Sequence, residues 1–123
     1  MVNKEDKTII CTDFCEGKKH DFRLLKECKV RFHSSSQVLA DTGYQGLQQI
    51  HFNTELPKKS SKKNPLTKKQ KSKNREISSK RVLVENVIGS VKRFKILSER
   101  YRNRRKRFGL RFNLIAAIHN FEL

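Results

Sequence analysis

The chain has 123 residues, and its 29 lysines and arginines outnumber its 12 aspartates and glutamates, which gives a formal net charge of +17. Such a basic chain binds polyanions, and nucleic acid is the expected partner. A membrane surface is the lesser alternative, because no amphipathic basic helix stands apart from the rest of the sequence. The sequence also has no signal-peptide pattern and no apolar run of membrane-spanning length, so a cytoplasmic protein is expected.

The first third of the chain predicts short elements separated by turns. A β-branched run at 8–12 predicts a strand, and a short helix is expected to begin near His20-Asp21. The apolar stretch 37–40 predicts a strand that ends at Asp41, followed by turn glycines, and 50–52 could form one more strand with His51 pointing away from the core. Three cysteines at unpaired spacing predict reduced thiols rather than a disulfide framework or a zinc site.

From residue 57 the composition changes to lysines among Ser, Asn, Gln and Pro, without an apolar period. The stretch 57–73 therefore predicts a basic, flexible loop that contacts the DNA backbone, although a solvated charged linker is the simpler alternative. A helix is expected at 74–97, and a second one at 108–122 whose two apolar stripes predict burial. The candidate DNA-binding residues outside the long helix lie in the loop and in an arginine cluster: Lys58, Lys59, Lys62, Lys63, Arg104 and Arg105.

The predicted helix at 74–97 carries a row of charges beside an apolar stripe. Glu85 lies one turn after Arg81, and Lys92 lies two turns after Glu85. All three side chains therefore project from nearly the same side of the helix. Such a row is either a set of surface ion pairs, worth only a few tenths of a kcal/mol per pair, or part of a phosphate-handling site. The spacing alone does not separate these alternatives.

Three segments together resemble the C-terminal part of the DDE transposases of bacterial insertion sequences, of the insertion-sequence-five kind. They are Gly17-Lys18-Lys19-His20-Asp21-Phe22, then Ala40-Asp41-Thr42-Gly43-Tyr44-Gln45-Gly46, then 81–97. The last follows the family's pattern of Arg, three residues, Glu, six residues, Lys. The segments span nearly the whole chain in the family's order, and it is this ordered set that is specific.

The resemblance implies an α/β, ribonuclease-H-like fold whose three carboxylates hold two divalent cations, Mg²⁺ or Mn²⁺. Residues 1–123 would form a partial fold of this kind, lacking its first strands, with a basic loop and two C-terminal helices. Asp41 matches the family's second catalytic aspartate and Glu85 its closing glutamate, so both are expected to be catalytic and to bind metal. Arg81 and Lys92 are expected to bind DNA phosphates beside them.

The chain departs from the family pattern in two places. Ser78 stands where the family often has a tyrosine, and the family's first catalytic aspartate would lie upstream of Met1. Asp13 follows a predicted strand but is interpreted as the start of a loop, and Asp21 is expected to cap a short helix. If the first strand is missing, the isolated chain should be poorly folded and without metal-dependent nuclease activity. We then expect it to be the downstream half of a transposase divided between two reading frames, with the upstream half and further copies of itself as partners.

Two other functions fit the composition. A non-catalytic binding module would coat nucleic acid through the same lysines and arginines, because charge alone explains non-specific affinity. A decayed remnant of a mobile element would have no present function. The ordered motifs favour the transposase, since a binding module does not require Asp41 and Glu85 among its cations. Replacing either residue by Ala, in a chain completed at its N-terminus, separates the hypotheses, because only a transposase should lose cleavage while retaining or raising DNA affinity.

Overall fold

A computed structural model of the chain describes residues 1–15, 17–100 and 105–123. The chain forms two compact units, one made of Met1–Phe14 with Val82–Leu123 and the other of Cys15–Arg81. The long helix α3, Lys68–Lys92, contributes residues to both units. No helix among the described residues is long and apolar enough to cross a membrane.

The unit Cys15–Arg81 contains a two-stranded parallel sheet. Strand β1 (Val38–Leu39) pairs with strand β2 (Thr54–Glu55), with Val38 opposite Thr54 and Leu39 opposite Glu55. The remaining elements of this unit, besides the first part of α3, are helix α1 (Asp21–Glu27), the 3-10 turn Thr42–Tyr44 and helix α2 (Leu47–Ile50). This mixture of helices with a parallel strand pair confirms the expected α/β class.

The prediction of a strand at 50–52 in this unit is wrong. Ile50 is the last residue of α2 and His51 is its C-cap, so 50–52 is a helix end rather than a strand. His51 is also buried, contrary to the prediction that it points away from the core. Its Nε2 lies 2.6 Å from the carbonyl oxygen of Ser36, and such a partner makes burial of an imidazole acceptable.

Helix α3 begins earlier than the sequence prediction and ends sooner. It starts at Lys68 rather than 74, so the basic loop is shorter than 57–73. Thr67 and Gln70 form a reciprocal cap, in which the amide of Gln70 donates to Thr67 Oγ1 and the amide of Thr67 donates to Gln70 Oε1. Helix α3 ends at Lys92, and a separate short helix, α4, spans Lys95–Ser98. The single helix predicted to extend to 97 is therefore two helices.

The other unit is built on an N-terminal hairpin, α4, the later part of α3 and helix α5, Phe108–Phe121. The predicted strand at 8–12 is represented by a single antiparallel bridge between Val2 and Ile9. The Asn120 side chain of α5 accepts from the amide of Ile9 and donates to its carbonyl, at 2.7 and 3.0 Å. The side-chain amide of Asn120 thus forms the two hydrogen bonds that a neighbouring strand would otherwise form with the N–H and the carbonyl of Ile9.

The core of this unit is small and uses only one stripe of α5. Its buried centre comprises Val87 and Val91 of α3 with Ile115 of α5. The prediction that α5 is buried on both apolar stripes is wrong, since Leu110, Leu114 and Phe121 are exposed, Phe121 to 93%. His119 is half-buried, with Nδ1 3.1 Å from Ser90 Oγ.

Candidate active site at the end of strand β1

Asp41 lies two residues beyond β1, at the start of the 3-10 turn that it caps. Its Oδ1 accepts hydrogen bonds from the amide of Thr42 at 2.6 Å and from the Thr42 hydroxyl at 3.2 Å. An Asp at this place stops the strand because its side chain satisfies the first free amide of the turn. The carboxyl end of a parallel strand is also where α/β proteins commonly hold their functional groups.

Arg81 is the charged partner of Asp41. The distance from Arg81 Nη1 to Asp41 Oδ1 is 3.2 Å, and the two side chains are 28% and 49% exposed. A guanidinium has five N–H donors, and one of them donates to the Asp41 carboxylate. Arg81 therefore lies where the sequence places a phosphate-binding cation, and its structural role is to hold the Asp41 carboxylate.

Lys80, the neighbour of Arg81, makes the corresponding contact with strand β2. Its Nζ lies 2.8 Å from Glu76 and 3.6 Å from Glu55, the residue of β2 that is opposite Leu39. The hydrogen bond to Glu76 and the charge of Glu55 raise the pKa of the Lys80 ammonium. Two consecutive cations of α3 thus contact a carboxylate just beyond β1 and a carboxylate in β2, which holds this part of α3 beside the sheet.

Tyr44 ends the turn that Asp41 begins. It is half-buried and packs edge-to-face against Phe22 of α1, with ring centroids 6.3 Å apart. Burial raises the pKa of the Tyr44 phenol, and the charges of Asp21 and Asp41 raise it further. Tyr44 is thus a packing residue beside the turn, and its hydroxyl stays protonated at neutral pH.

His20, rather than the expected Asp21, caps helix α1. The His20 Nδ1 accepts from the amide of Phe22 at 3.3 Å, and Asp21 is the first residue of the helix. A Cβ placed on Gly43, in the turn capped by Asp41, would lie 3.8 Å from the His20 ring. The sequence has no local signal for this neighbour of the His20-Asp21 pair, because 23 positions separate His20 from Gly43.

Glu85 and Lys92 lie in the part of α3 that belongs to the other unit. Both are exposed, and their spacing of seven residues places them about 20° apart around the helix axis. They therefore share one solvent-facing side of α3, as the helical spacing predicts. The structure thus brings together Asp41 and Arg81 within one unit and places Glu85 and Lys92 in the second.

The basic loop is exposed but is held near its start. Lys58 exchanges two hydrogen bonds with the Asn74 side chain, at 2.8 and 2.9 Å, which sequence reasoning missed. In the part of the chain that the structure describes, none of the four loop ammonium groups forms an ion pair; they belong to Lys58, Lys59, Lys62 and Lys63. Arg104 lies outside the described residues, and for Arg105 only the backbone is described, in the 3-10 turn Arg105–Arg107.

The carboxylate of Asp41 is suited to a hard cation, although a complete set of ligands is not assembled. Among the described residues, Asp41 Oδ2 accepts no hydrogen bond, so one oxygen of a half-exposed carboxylate is available. The same residues contain no group of three His, Cys, Asp or Glu side chains that could hold a metal ion. Asp41 thus fits a divalent cation in donor type, with further ligands required from elsewhere.

Comparison with known proteins identifies the family of the chain. Residues 1–120 match the family described as DDE superfamily endonuclease. The chain is 47% identical over all 123 residues to a probable transposase for insertion sequence element IS702 from Microchaete diplosiphon, and it spans 45% of that relative's length. No solved structure matches the chain.

Proposed function

Because the chain belongs to the DDE superfamily endonuclease family, as its sequence motifs predicted, we propose that it is part of a transposase that cleaves and joins DNA strands. Asp41 and Glu85 are its contribution to the catalytic carboxylates. The observation that carries the proposal is the position of Asp41, half-exposed at the carboxyl end of a parallel strand and fixed there by Arg81. A carboxylate held in this way needs little reorganisation to accept a ligand.

The cofactor we propose is a pair of divalent cations, Mg²⁺ or Mn²⁺. Carboxylate oxygens are the preferred protein ligands of these ions. When bound, such cations supply positive charge for the attacking and leaving oxygens of a phosphoryl transfer. Asp41 would hold them through its available Oδ2, while Thr42 and Arg81 keep the other oxygen fixed in place.

The substrate we propose is DNA, at the ends of an insertion sequence and at its target. Arg81 and Lys92 would bind phosphates near the carboxylates. The exposed loop lysines and the +17 charge would supply affinity for the backbone without reading sequence. A ribonuclease-H-like fold, an upstream transposase half and assembly with further copies of the chain complete the proposal.

Cleavage of DNA by a completed transposase tests the proposal. We suggest joining this chain to the part of the IS702 relative that lies outside the match, and measuring Mg²⁺- or Mn²⁺-dependent nicking of labelled insertion-sequence ends. Asp41→Ala and Glu85→Ala should each lower cleavage by more than the ~10–100-fold that loss of an outer-shell partner costs, with DNA affinity kept or raised. Asp13→Ala is the matched carboxylate control and should retain cleavage. Equal loss in all three variants would contradict the assignment.

A non-catalytic nucleic-acid-binding module is the second candidate, and the exposed, unpaired loop lysines favour it. A pure binding module predicts DNA affinity that falls steeply with salt, as the transposase does, but no metal-dependent cleavage in any completed chain. The cleavage experiment therefore separates the two functions, whereas an affinity measurement alone does not.

A further inference from the structure

His20 caps helix α1 with an atom that few helix caps use. Asn, Asp, Ser and Thr are the preferred N-cap residues because a short side-chain oxygen reaches the free amides directly. Here the cap is the imidazole Nδ1, 3.3 Å from the amide of Phe22. Capping alone would be served better by Asn or Ser, so it does not explain the choice of histidine.

The cap also fixes the chemistry of the ring. Nδ1 accepts the Phe22 amide, so in the neutral imidazole the proton is on Nε2. The His20 side chain is exposed. The ring is therefore an oriented N–H donor, and its orientation does not depend on a bound ligand.

The ring lies beside the turn that Asp41 begins. A Cβ on Gly43 would be 3.8 Å from His20 Cε1, and Phe22 packs against Tyr44 at the end of the same turn. Gly43 is two residues from Asp41, so chain geometry places the ring within about 10 Å of the Asp41 backbone. Phosphates along one DNA strand advance 3.4 Å per nucleotide along the helix axis and lie farther apart than that through space, so this span covers at most about three nucleotides.

We infer that His20 is a DNA-contacting residue whose Nε2–H donates a hydrogen bond to a phosphate oxygen, within about three nucleotides of the phosphate at Asp41. This inference rests on the proposed function, because it takes DNA as the ligand at the end of β1. It gives the His20-Asp21 pair a role in positioning the strand, in addition to capping α1.

The sharpest test separates the ring from the cap. His20→Asn supplies a side-chain oxygen that can still accept an α1 amide, but lacks Nε2–H, whereas His20→Ala loses both functions. His33 is the matched control, because its Nδ1 also lies 3.3 Å from the amide two residues ahead, in an equally exposed side chain. The variants are therefore His20→Asn, His20→Ala and His33→Asn, each made in the completed transposase described above.

Two measurements on these proteins decide the inference. The first is the ¹⁵N shift of each histidine Nε2 when a short DNA duplex is added, for which we expect a change at His20 and none at His33. The second is duplex affinity at fixed salt, which His20→Asn should weaken about two- to tenfold, as loss of one hydrogen bond to a charged group does, while its urea stability stays at the wild-type value. His33→Asn should bind as the wild type does.

Equal shifts at His20 and His33, or an unchanged affinity for His20→Asn, would overturn the inference and reduce His20 to a cap. Both measurements are made without cleavage, so their outcome is independent of whether the completed transposase cuts DNA. Absence of cleavage with a selective His20 shift would contradict the proposed catalysis and leave His20 as a DNA contact. Cleavage without a selective His20 shift would support the proposed catalysis and contradict the inference that His20 contacts DNA.

Discussion

Arg81 Nη1 lies 3.2 Å from Asp41 Oδ1, although the two residues are forty positions apart in the chain. The contact joins the end of β1 to helix α3 within one unit of the structure. Both side chains are partly exposed, so solvent screens the attraction and the pair adds little free energy to folding. Its importance is geometric, because it limits the orientations of the carboxylate proposed to bind metal.

A double-mutant cycle with Arg81→Ala and Asp41→Ala measures this contact. We expect a coupling free energy of about 0.2–1 kcal/mol in urea denaturation, as for other partly exposed ion pairs. The control cycle pairs Asp41→Ala with Lys80→Ala, because Lys80 contacts Glu76 and Glu55 instead. That cycle should be additive to within about 0.3–0.5 kcal/mol. Equal coupling in both cycles would show that α3 responds to any lost charge.

The loop lysines should set the salt dependence of DNA binding. Replacing Lys58, Lys59, Lys62 and Lys63 by Gln should make the slope of log affinity against log salt shallower by about 3 to 4, if each ammonium contacts one phosphate. The same number of exposed lysines replaced elsewhere is the control: Lys4, Lys18, Lys26 and Lys95. If both quadruple variants change the slope equally, the loop is a solvated linker and binding depends only on net charge.

Tyr44 should make the fold sensitive to alkaline pH. Burial first, and then the charges of Asp21 and Asp41, raise the pKa of its phenol in the folded chain. Between the unfolded pKa of about 10 and the higher folded value, the folded state binds more protons than the unfolded state, so stability falls as pH rises. Below that range the effect vanishes. The wild type should therefore lose stability above about pH 10 faster than Tyr44→Phe in urea denaturation followed across pH.

Two glycines in helices should respond oppositely to alanine. A Cβ on Gly109 of α5 would lie 2.8 Å from the Phe14 ring, so Gly109→Ala should destabilise the chain by about 1–3 kcal/mol despite its better helix propensity. Gly89 of α3 has nothing within 4 Å of the added Cβ, so Gly89→Ala should stabilise by about 0.5–1 kcal/mol. Thermal unfolding of the two variants is the measurement, and a shift of the same sign in both would contradict the close approach of Phe14.

Some misses came from signals that were present in the sequence. Thr67 and Gln70 have the spacing of a capping box, but the surrounding lysines dominated the interpretation of 57–73 as a loop. Gly46 has a φ of 95°, a left-handed conformation that glycine adopts readily, and it is the N-cap of α2. The residues after it therefore start a helix rather than a strand. These were errors in weighing local evidence against composition.

Other features could not be read from local sequence. The partner of His51 is the carbonyl of Ser36, and only a folded chain brings that oxygen to the ring. The exposure of one stripe of α5 likewise depends on which elements pack against it, since Leu114 and Ile115 are both good core residues. Periodicity shows that a stripe is apolar, but it does not show whether another element covers it.

The family, the order of its motifs, the mixed α/β class and the excess of positive charge can be read from residue identity and spacing, which carry that information directly. Which partners those residues take depends on the folded chain. In the folded chain Asp41 contacts Arg81, Glu55 contacts Lys80, and His20 lies beside Gly43. The physical reason is that hydrogen bonds and ion pairs act over a few ångström, and distant segments come that close only after the chain has folded.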